Sequence, residues 1–195
     1  MRLLVISHLF PSPANPSAGS FIHDQAQALA ALGCQVQVIC PTLYAPPGLG
    51  DLHPRWRRLR QVPTCAEVGG LPVYYPRYLS FPRMALFSWY GHFCARGIAS
   101  LAEAEKLGYD CDLIHAHTAL PDGRAASLLN RRWRKPLVVT VHGYDAVQLN
   151  RGRLRRRQIL SAFAAADRVV CVSEKLAREC RAHDPNPERF RVIHN

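Results

Sequence analysis

Short apolar runs rich in β-branched residues alternate with helix-like segments along almost the whole chain. The runs cover residues 3–6, 36–39, 73–75, 113–115, 137–141, 169–172 and 192–193. Their length and lack of polar alternation are typical of strands buried on both faces. Between them the sequence predicts helices over about 21–32, 82–107, 121–133, 154–166 and 174–182. This alternation implies right-handed βαβ units, so we expect an α/β fold with a Rossmann-like, mostly parallel sheet and helices on both faces.

The section from Pro41 to Pro82 interrupts this pattern with repeated prolines and the pair Gly69-Gly70. Two interpretations stay open here, a flexible excursion or a hairpin that lies on the edge of the sheet. The helix-like segment that follows, residues 81–101, mixes aromatic with basic side chains. It is predicted to pack in the core, and the alternative is a helix whose exposed aromatic and basic groups rest on a membrane surface.

The charge balance indicates an anionic partner. The chain of 195 residues has 25 Lys and Arg against 14 Asp and Glu, a net charge of +11. Most of the excess is arginine, in residues 55–60, 131–134 and 151–157. Nucleotide phosphates, nucleic acids and acidic membrane surfaces all suit such a charge, and so does a mere bias in base composition. Because the arginines lack interleaved aromatic residues or a recognition helix, we expect no nucleic-acid partner.

The cysteines and the N-terminal segment indicate a reducing compartment. Seven cysteines form no CxxC pair, and Cys34, Cys40, Cys111 and Cys171 lie beside apolar runs, so we expect buried free thiols. The start "MRLLVIS" has no cleavage site after it, and no run of about 18 apolar residues occurs. A cytoplasmic location, with peripheral attachment to the inner face of the cell membrane as an extension, is the expectation.

Polar residues follow several of the predicted strands. The carboxyl ends of parallel strands form the ligand crevice of such sheets, so these residues are expected to share one cleft. They occur at four strand ends, as Ser7-His8 with the loop to Gly19, His115 and His117, His142 with Asp145, and Ser173-Glu174.

Each of these residues also has a structural interpretation. Gly19 would let a diphosphate approach the N-terminus of a helix, but Ser20 could simply cap that helix. His117 and His142 could be hydrogen-bonded core or cap histidines, and Asp145 could be an N-cap. The histidine spacing matches no zinc pattern and no GxSxG elbow occurs, so neither a metal nor a serine hydrolase site is expected.

Five segments together resemble a known family. They are "MRLLVISHLFPSPANPSAGSFIHDQAQALAALG", "DLIHAHTALPDGRAA", "PLVVTVHGYD", "ADRVVCVSE" and "RVIHN". In order and spacing they resemble the N-terminal half of a retaining GT-B glycosyltransferase of family 4, over nearly the whole chain. The "PSAGSF" loop and the segment "VYYPRYLSFP" are most similar to the branch that builds bacterial exopolysaccharide and cell-wall polymers.

The resemblance implies an enzyme of two domains with a cleft between them. The N-terminal domain holds the acceptor, a saccharide or a lipid-linked acceptor, and the C-terminal domain binds the nucleotide sugar and carries an E-x7-E signature. No two glutamates here are eight residues apart. We therefore expect residues 1–195 to be the acceptor-side domain, with the donor-binding domain absent from this chain and no transfer by the chain alone. The alternative is a non-catalytic binding or anchoring subunit of a split, two-chain glycosyltransferase.

The resemblance also assigns roles to single residues. Gly19 matches the family's glycine loop near donor phosphate and acceptor, although Ala18 replaces the first glycine of the common pair. His142 matches the histidine near the transferred sugar, with Asp145 one turn along. His117 matches the "HxH" strand end and Ser173 the serine that opens the next helix. In the front-face mechanism proposed for retaining members, the leaving phosphate accepts the acceptor proton, so His142 would orient and stabilise. No cofactor is expected.

Overall fold

A computed structural model describes residues 1–46, 48, 54–81 and 86–194 of the chain. Its strands are, in chain order, β1 Arg2–Ile6, β2 Gln35–Ile39, β3 Thr42–Leu43, β4 Cys65–Val68, β5 Leu71–Tyr74, β6 Arg77–Tyr78, β7 Leu113–His117, β8 Leu137–Val141, β9 Arg168–Cys171 and β10 Phe190–Val192. Eight of them form one sheet in the order β10-β9-β8-β7-β1-β2-β5-β4. All neighbours in it are parallel except the β4–β5 pair. The predicted Rossmann-like sheet is confirmed.

Helices cover both faces of this sheet. The α-helices of the described residues are α1 Ser20–Ala31, α2 Pro54–Gln61, α3 Tyr90–Ala104, α4 Leu107–Asp110, α5 Arg124–Trp133, α6 Gly143–Leu149, α7 Arg153–Ala165 and α8 Glu174–Arg181. Alternate residues of β1 face opposite sides. Leu4 and Ile6 belong to the larger core, with α3, α5 and α7, whereas Leu3 and Val5 belong to a second core with α1. A strand buried on both faces has no polar alternation, which explains its continuous apolar sequence.

The chain reverses its direction of winding at β1. It leaves β1 for β2 and β5 on one side, and later returns to place β7, β8, β9 and β10 on the other. Ligands of open α/β sheets bind outside the carboxyl ends of the strands at such a switch point. The topology therefore directs attention to the ends of β1, β7 and β8.

The irregular section contains a hairpin on the sheet edge, one of the two interpretations of its sequence. β4 and β5 pair around Gly69 and Gly70, which both have positive φ angles of 58° and 81°. This turn explains the glycine pair. The section also contains helix α2 and the small parallel pair β3–β6, which the sequence pattern did not predict, because prolines and arginines obscure any period there.

One predicted helix needs correction, and one helix was not predicted. The helix expected over 82–107 is a 3₁₀ turn, Phe87–Trp89, followed by α3, and residues 82–85 lie outside the described part of the chain. α6 was not predicted, because it is only seven residues long. Phe87 and Tyr90 are buried, as the core interpretation requires, while Trp89 is 42% exposed and Phe81 39%.

The end of α1 follows the sequence expectation, and so do the cysteines except Cys34, which was expected to be buried. Gly33, at a φ of 88°, ends the helix, and the N–H groups of Gly33 and Cys34 donate to the carbonyls of Ala30 and Leu29, a Schellman arrangement. All seven cysteines are free, and five are buried, whereas Cys34 is half-buried and Cys65 exposed. Among the described residues, no helix is long and apolar enough to cross a membrane.

Gly97 offers a test of the packing of α3 against β6. A Cβ atom at Gly97 would lie 2.3 Å from the carbonyl oxygen of Arg77. Helix propensity favours alanine over glycine by about 1 kcal/mol, yet we expect Gly97→Ala to lower the free energy of unfolding by about 1–3 kcal/mol because the backbone cannot yield. Urea denaturation measures this change. Gly143→Ala, where a Cβ meets nothing within 4 Å, is the matched control. Equal effects of both substitutions would contradict the packing argument.

Candidate functional site

The histidines at the ends of β7 and β8 lie side by side. His117 is the last residue of β7, and His142 directly follows β8, its neighbour in the sheet. His117 Nδ1 is 3.4 Å from His142 Nε2, and the two rings stack with centroids 5.7 Å apart. His117 is buried, whereas His142 is half-buried. The structure thus brings together the two histidines that the sequence placed in one cleft.

The N-terminus of α1 faces this histidine pair. The ring of Phe21, 41% exposed, packs edge-on against His142 with centroids 5.0 Å apart. Gly19 precedes the helix at a φ of 59°, and a Cβ there would lie 2.0 Å from the Leu9 carbonyl oxygen. No L side chain fits that position. Ser20 is the first residue of the helix, so the interpretation of Ser20 as its N-cap was wrong; Gly19 is the N-cap, without a side-chain hydrogen bond.

Asp145 ties the loops after β7 and β8 to each other. One carboxylate oxygen accepts from the Ala119 N–H at 2.8 Å, and the other accepts from the His142 N–H at 2.7 Å. The side chain is buried, in the third position of α6, and His142 rather than Asp145 is the N-cap residue. Burial raises the pKa of Asp145 to about 7, against the effect of its two N–H donors. This geometry gives Asp145 a structural role, and direct contact with substrate stays a prediction.

Asp122 connects the end of β1 to the same site, and the sequence analysis missed it. Its carboxylate is fully buried and accepts from the His8 backbone N–H at 3.1 Å and from the Thr118 hydroxyl at 3.1 Å. His8 Nδ1 lies 2.6 Å from the same carboxylate. The residue stands in the helical turn Ala119–Gly123, within the motif "ALPDG" directly after the histidine strand. That position after β7 was the available signal.

Thr118 adopts a strained backbone conformation at this point. Its φ is 72° and its ψ is 141°, which is unfavourable for a β-branched residue. Three hydrogen bonds hold it, from its N–H to Thr140, from Gly123 to its carbonyl, and from its hydroxyl to Asp122. Strain of this kind costs on the order of 1–3 kcal/mol and is concentrated at functional sites.

Ser173 lies one strand further along the sheet. It follows β9 and caps α8, where its hydroxyl accepts a hydrogen bond from the Leu176 N–H at 3.2 Å. The expected helix-opening position is therefore present. No described hydrogen bond joins Ser173 to His117 or His142, and its contact with substrate stays a prediction.

Electrostatics divide the site into neutral and chargeable groups. Burial lowers the pKa of His117 well below its ordinary value, with His115 and His142 acting in the same direction. Burial also lowers the pKa of His142, although Asp122 opposes this. For His8, burial disfavours the protonated form, but the Asp122 carboxylate outweighs it and the pKa is raised. The facing pair His117 and His142 is thus neutral at neutral pH, able to donate and accept hydrogen bonds.

A cleft of about 670 Å³ opens in front of β1 and β2, and its lining includes His8 but neither His117 nor His142. His8 lines it together with the loop that leads to Gly19, through Asn15 and Ala18. Arg55 and Arg58 of α2 line the opposite wall. Within the described part of the chain, no group of three or more His, Cys, Asp or Glu residues could hold a metal ion. The cleft has the size of a small-molecule binding site, with cationic groups in its wall.

Comparison with known proteins assigns this arrangement to a class. The family model of Glycosyltransferase Family 4 matches residues 18–195. The chain is 31% identical over 182 residues to TuaC of Bacillus subtilis (strain 168), named as a teichuronic acid biosynthesis glycosyltransferase. That match covers 93% of this chain and 46% of TuaC, so the chain spans about half the length of this relative.

Solved structures agree on the fold. The catalytic domain of starch synthase IV from Arabidopsis thaliana, bound to ADP and acarbose, superposes on 100% of this chain and 51% of its own at a TM-score of 0.61, with 13% identity. Anabaena HepE, in complex with UDP and glucose, gives a TM-score of 0.58 with 16% identity, covering 100% of this chain and 44% of its own. The sheet matches that of the N-terminal domain of GT-B type glycosyltransferases. The chain belongs to glycosyltransferase family 4.

The buried histidines predict a loss of stability on acidification. The pKa values of His115, His117 and His142 are all lowered on folding, that of His115 to about 4 by burial and then by His142. The unfolded chain, with histidine pKa values near about 6.5, therefore binds more protons below that pH. The contribution of these three histidines to the free energy of unfolding is therefore fully present above pH ~6.5. It falls as the pH drops toward ~4, by at most about 1.4 kcal/mol per pH unit for each histidine.

A His115→Gln variant isolates one of these protons. We expect its free energy of unfolding, measured with urea at several pH values, to fall less steeply between pH ~6.5 and ~4.5 than that of the original chain. Asp145 and His8, whose pKa values are raised, act with the opposite sign but are common to both proteins. His183→Gln, outside the stack, is the control. Parallel curves for His115→Gln and the original chain would show that His115 does not titrate on unfolding.

Proposed function

We propose that this chain is the N-terminal, acceptor-side half of a retaining glycosyltransferase, which transfers a sugar from a nucleotide sugar to a saccharide or lipid-linked acceptor. The observation that carries the proposal is the neutral pair His117 and His142 at the switch point of the sheet, facing the Gly19 end of α1. Because the chain covers 46% of TuaC, the proposal includes a C-terminal donor-binding domain that completes the cleft.

His142 is proposed to orient the reacting sugars rather than to form a covalent bond. Its half-buried ring, neutral at neutral pH, suits hydrogen bonds to hydroxyl groups. His117, at 3.4 Å, fixes the orientation of that ring. In a front-face reaction the leaving phosphate takes the proton from the acceptor hydroxyl, and the residues of this chain supply position and polarity.

Asp145 and Gly19 are proposed to act through the backbone. Asp145 holds the His142 N–H and hence the start of α6 in place. At Gly19 the absence of a side chain lets the Leu9 carbonyl pack against the backbone. The N-terminus of α1, which follows Gly19, would bind a phosphate of the donor. Ser173, at the N-terminus of α8, would contact the donor from the next strand end.

The cleft beside β1 is proposed as the acceptor site. Its volume of about 670 Å³ accommodates one or two sugar rings, and Arg58 with Arg55 would suit a phosphate carried by a lipid-linked acceptor. The similarity to TuaC favours an acceptor in polysaccharide biosynthesis. The free cysteines fit the reducing cytoplasm, where we place the protein. An anionic membrane surface stays a prediction of the net charge.

A split enzyme, in which this chain only binds or anchors, is the less favoured alternative. In TuaC the matching region is continuous with the rest of a longer polypeptide. The two arrangements differ in whether a separate donor-domain chain must be added for transfer.

His142→Ala tests the proposal in a protein completed with a donor-binding domain. We expect turnover to fall by about one to two orders of magnitude, which corresponds to about 1.4–2.7 kcal/mol of transition-state stabilisation. The thermal midpoint should change little, because the ring is only half-buried. Turnover and thermal unfolding are measured on the same preparation.

His183→Ala, a histidine beyond α8, is the matched control and should keep normal turnover. If His142 serves the fold instead, its removal leaves buried groups unpaired, at a cost of about 1–3 kcal/mol in stability. A large drop in melting temperature with near-normal turnover would therefore contradict the proposed role.

A further inference from the structure

A second cleft, of about 700 Å³, lies on the helical layer between α3, α5 and α7. It shares no lining residue with the cleft beside β1. Its wall includes Arg124 and Arg131 of α5, Arg157 of α7, and Trp89 and His92 at the start of α3. We call it the basic cleft. Nothing in the proposed transfer reaction uses it.

Arg124 is held in place at the floor of the basic cleft. Its Nε donates to Gln158 Oε1 at 2.8 Å, and its Nη1 donates to Ser127 Oγ at 3.3 Å. Its aliphatic stem lies against α3 at Gly91, where a Cβ atom would come within 2.5 Å of Arg124 Cγ. Glycine at this position makes room for the arginine, so the guanidinium is positioned before any ligand arrives.

The positive charge of the basic cleft has no counter-charge among the described residues. No ion pair found there includes Arg124, Arg131 or Arg157, and no Asp or Glu lines the cleft. By contrast, the neighbouring Arg132 pairs with Glu103. Burial lowers the pKa of Arg124, and Arg131 and Arg157 lower it further. Three guanidinium groups that repel one another, one of them partly desolvated, create a strong local potential for an anion.

His92 and Trp89 complete the wall. Burial lowers the pKa of His92, and Arg124 and Arg131 act in the same direction, so this ring is neutral at neutral pH. Its Nδ1 is buried without a hydrogen-bond partner among the described residues. Trp89 packs on His92 with ring centroids 5.2 Å apart and is 42% exposed, and Leu154, also 42% exposed, lies on the rim. The cleft thus combines cationic groups with an apolar border.

We infer that the basic cleft binds a phosphate group that is attached to a larger molecule. Guanidinium forks match phosphate oxygens, and three of them suit a dianion better than a single carboxylate. A volume of about 700 Å³ exceeds the need of a phosphate alone, and Trp89 with Leu154 offers apolar contact to whatever carries it. The phosphate belongs either to a lipid headgroup or to a soluble phosphate ester.

Inorganic phosphate is the first probe. At constant ionic strength, with chloride as reference, we expect saturable binding in calorimetry or as a rise in thermal midpoint of the 195-residue chain. Arg131→Ala/Arg157→Ala should weaken that binding at least tenfold. Both side chains are exposed, so the fold is expected to survive. Lys175→Ala/Arg178→Ala removes the same charge from exposed positions of α8 and should leave binding unchanged.

Vesicles identify the source of the phosphate. Phosphatidylcholine vesicles with and without 30% phosphatidylglycerol, a composition of about this order being enough for a strong surface potential, are sedimented with each protein at moderate salt. If only the Arg131→Ala/Arg157→Ala variant loses its retention on the vesicles with phosphatidylglycerol, the phosphate belongs to a lipid headgroup. If that variant loses phosphate binding but keeps its retention on the vesicles, the phosphate belongs to a soluble phosphate ester. Equal phosphate binding by the original chain and both double variants would overturn the inference.

Discussion

The buried carboxylate of Asp145 holds the site together. It accepts hydrogen bonds from Ala119, after β7, and from His142, after β8, so two strand ends share one anchor. Burying a carboxylate is costly, and the two N–H donors offset that cost only where both loops are in place. Ala119 in turn begins the turn Ala119–Gly123, in which Asp122 binds His8 after β1. Two buried carboxylates therefore connect the ends of three neighbouring strands.

This linkage explains why the pKa values of His8 and His117 shift in opposite directions. His8 lies against the Asp122 carboxylate, which raises its pKa against the effect of burial. Burial lowers the pKa of His117, and the imidazole rings of His115 and His142 on either side lower it further. A neutral imidazole offers one donor and one acceptor. The stacked pair can therefore both donate and accept hydrogen bonds, while His8 lines the cleft beside β1 together with Arg55 and Arg58 of α2.

The sequence was sufficient for the parallel strands of the main sheet and for the position of His117 and His142, because period and strand order alone place them at one sheet edge. It was not sufficient for Asp122. The partner of this carboxylate, His8, is 114 positions away, and the turn that holds it has neither helical nor strand period. Helix α2 was not predicted for a related reason. Its eight residues bury no side chain, so they carry no apolar stripe that could have identified a helix.

The arginines illustrate the same limit for charge. Residues 151–157 form one basic run in the sequence, yet successive residues of α7 point about 100° apart. Arg155 lies over the Phe87 ring, Arg156 donates to the Leu149 carbonyl, and Arg157 lines the basic cleft. Two of the three thus serve the packing of α7, and net charge alone overstates the cationic surface. The turn Ala119–Gly123 lies between the two clefts. Asp122 contacts His8 in the wall of the cleft beside β1, and Arg124, two residues later, lines the basic cleft.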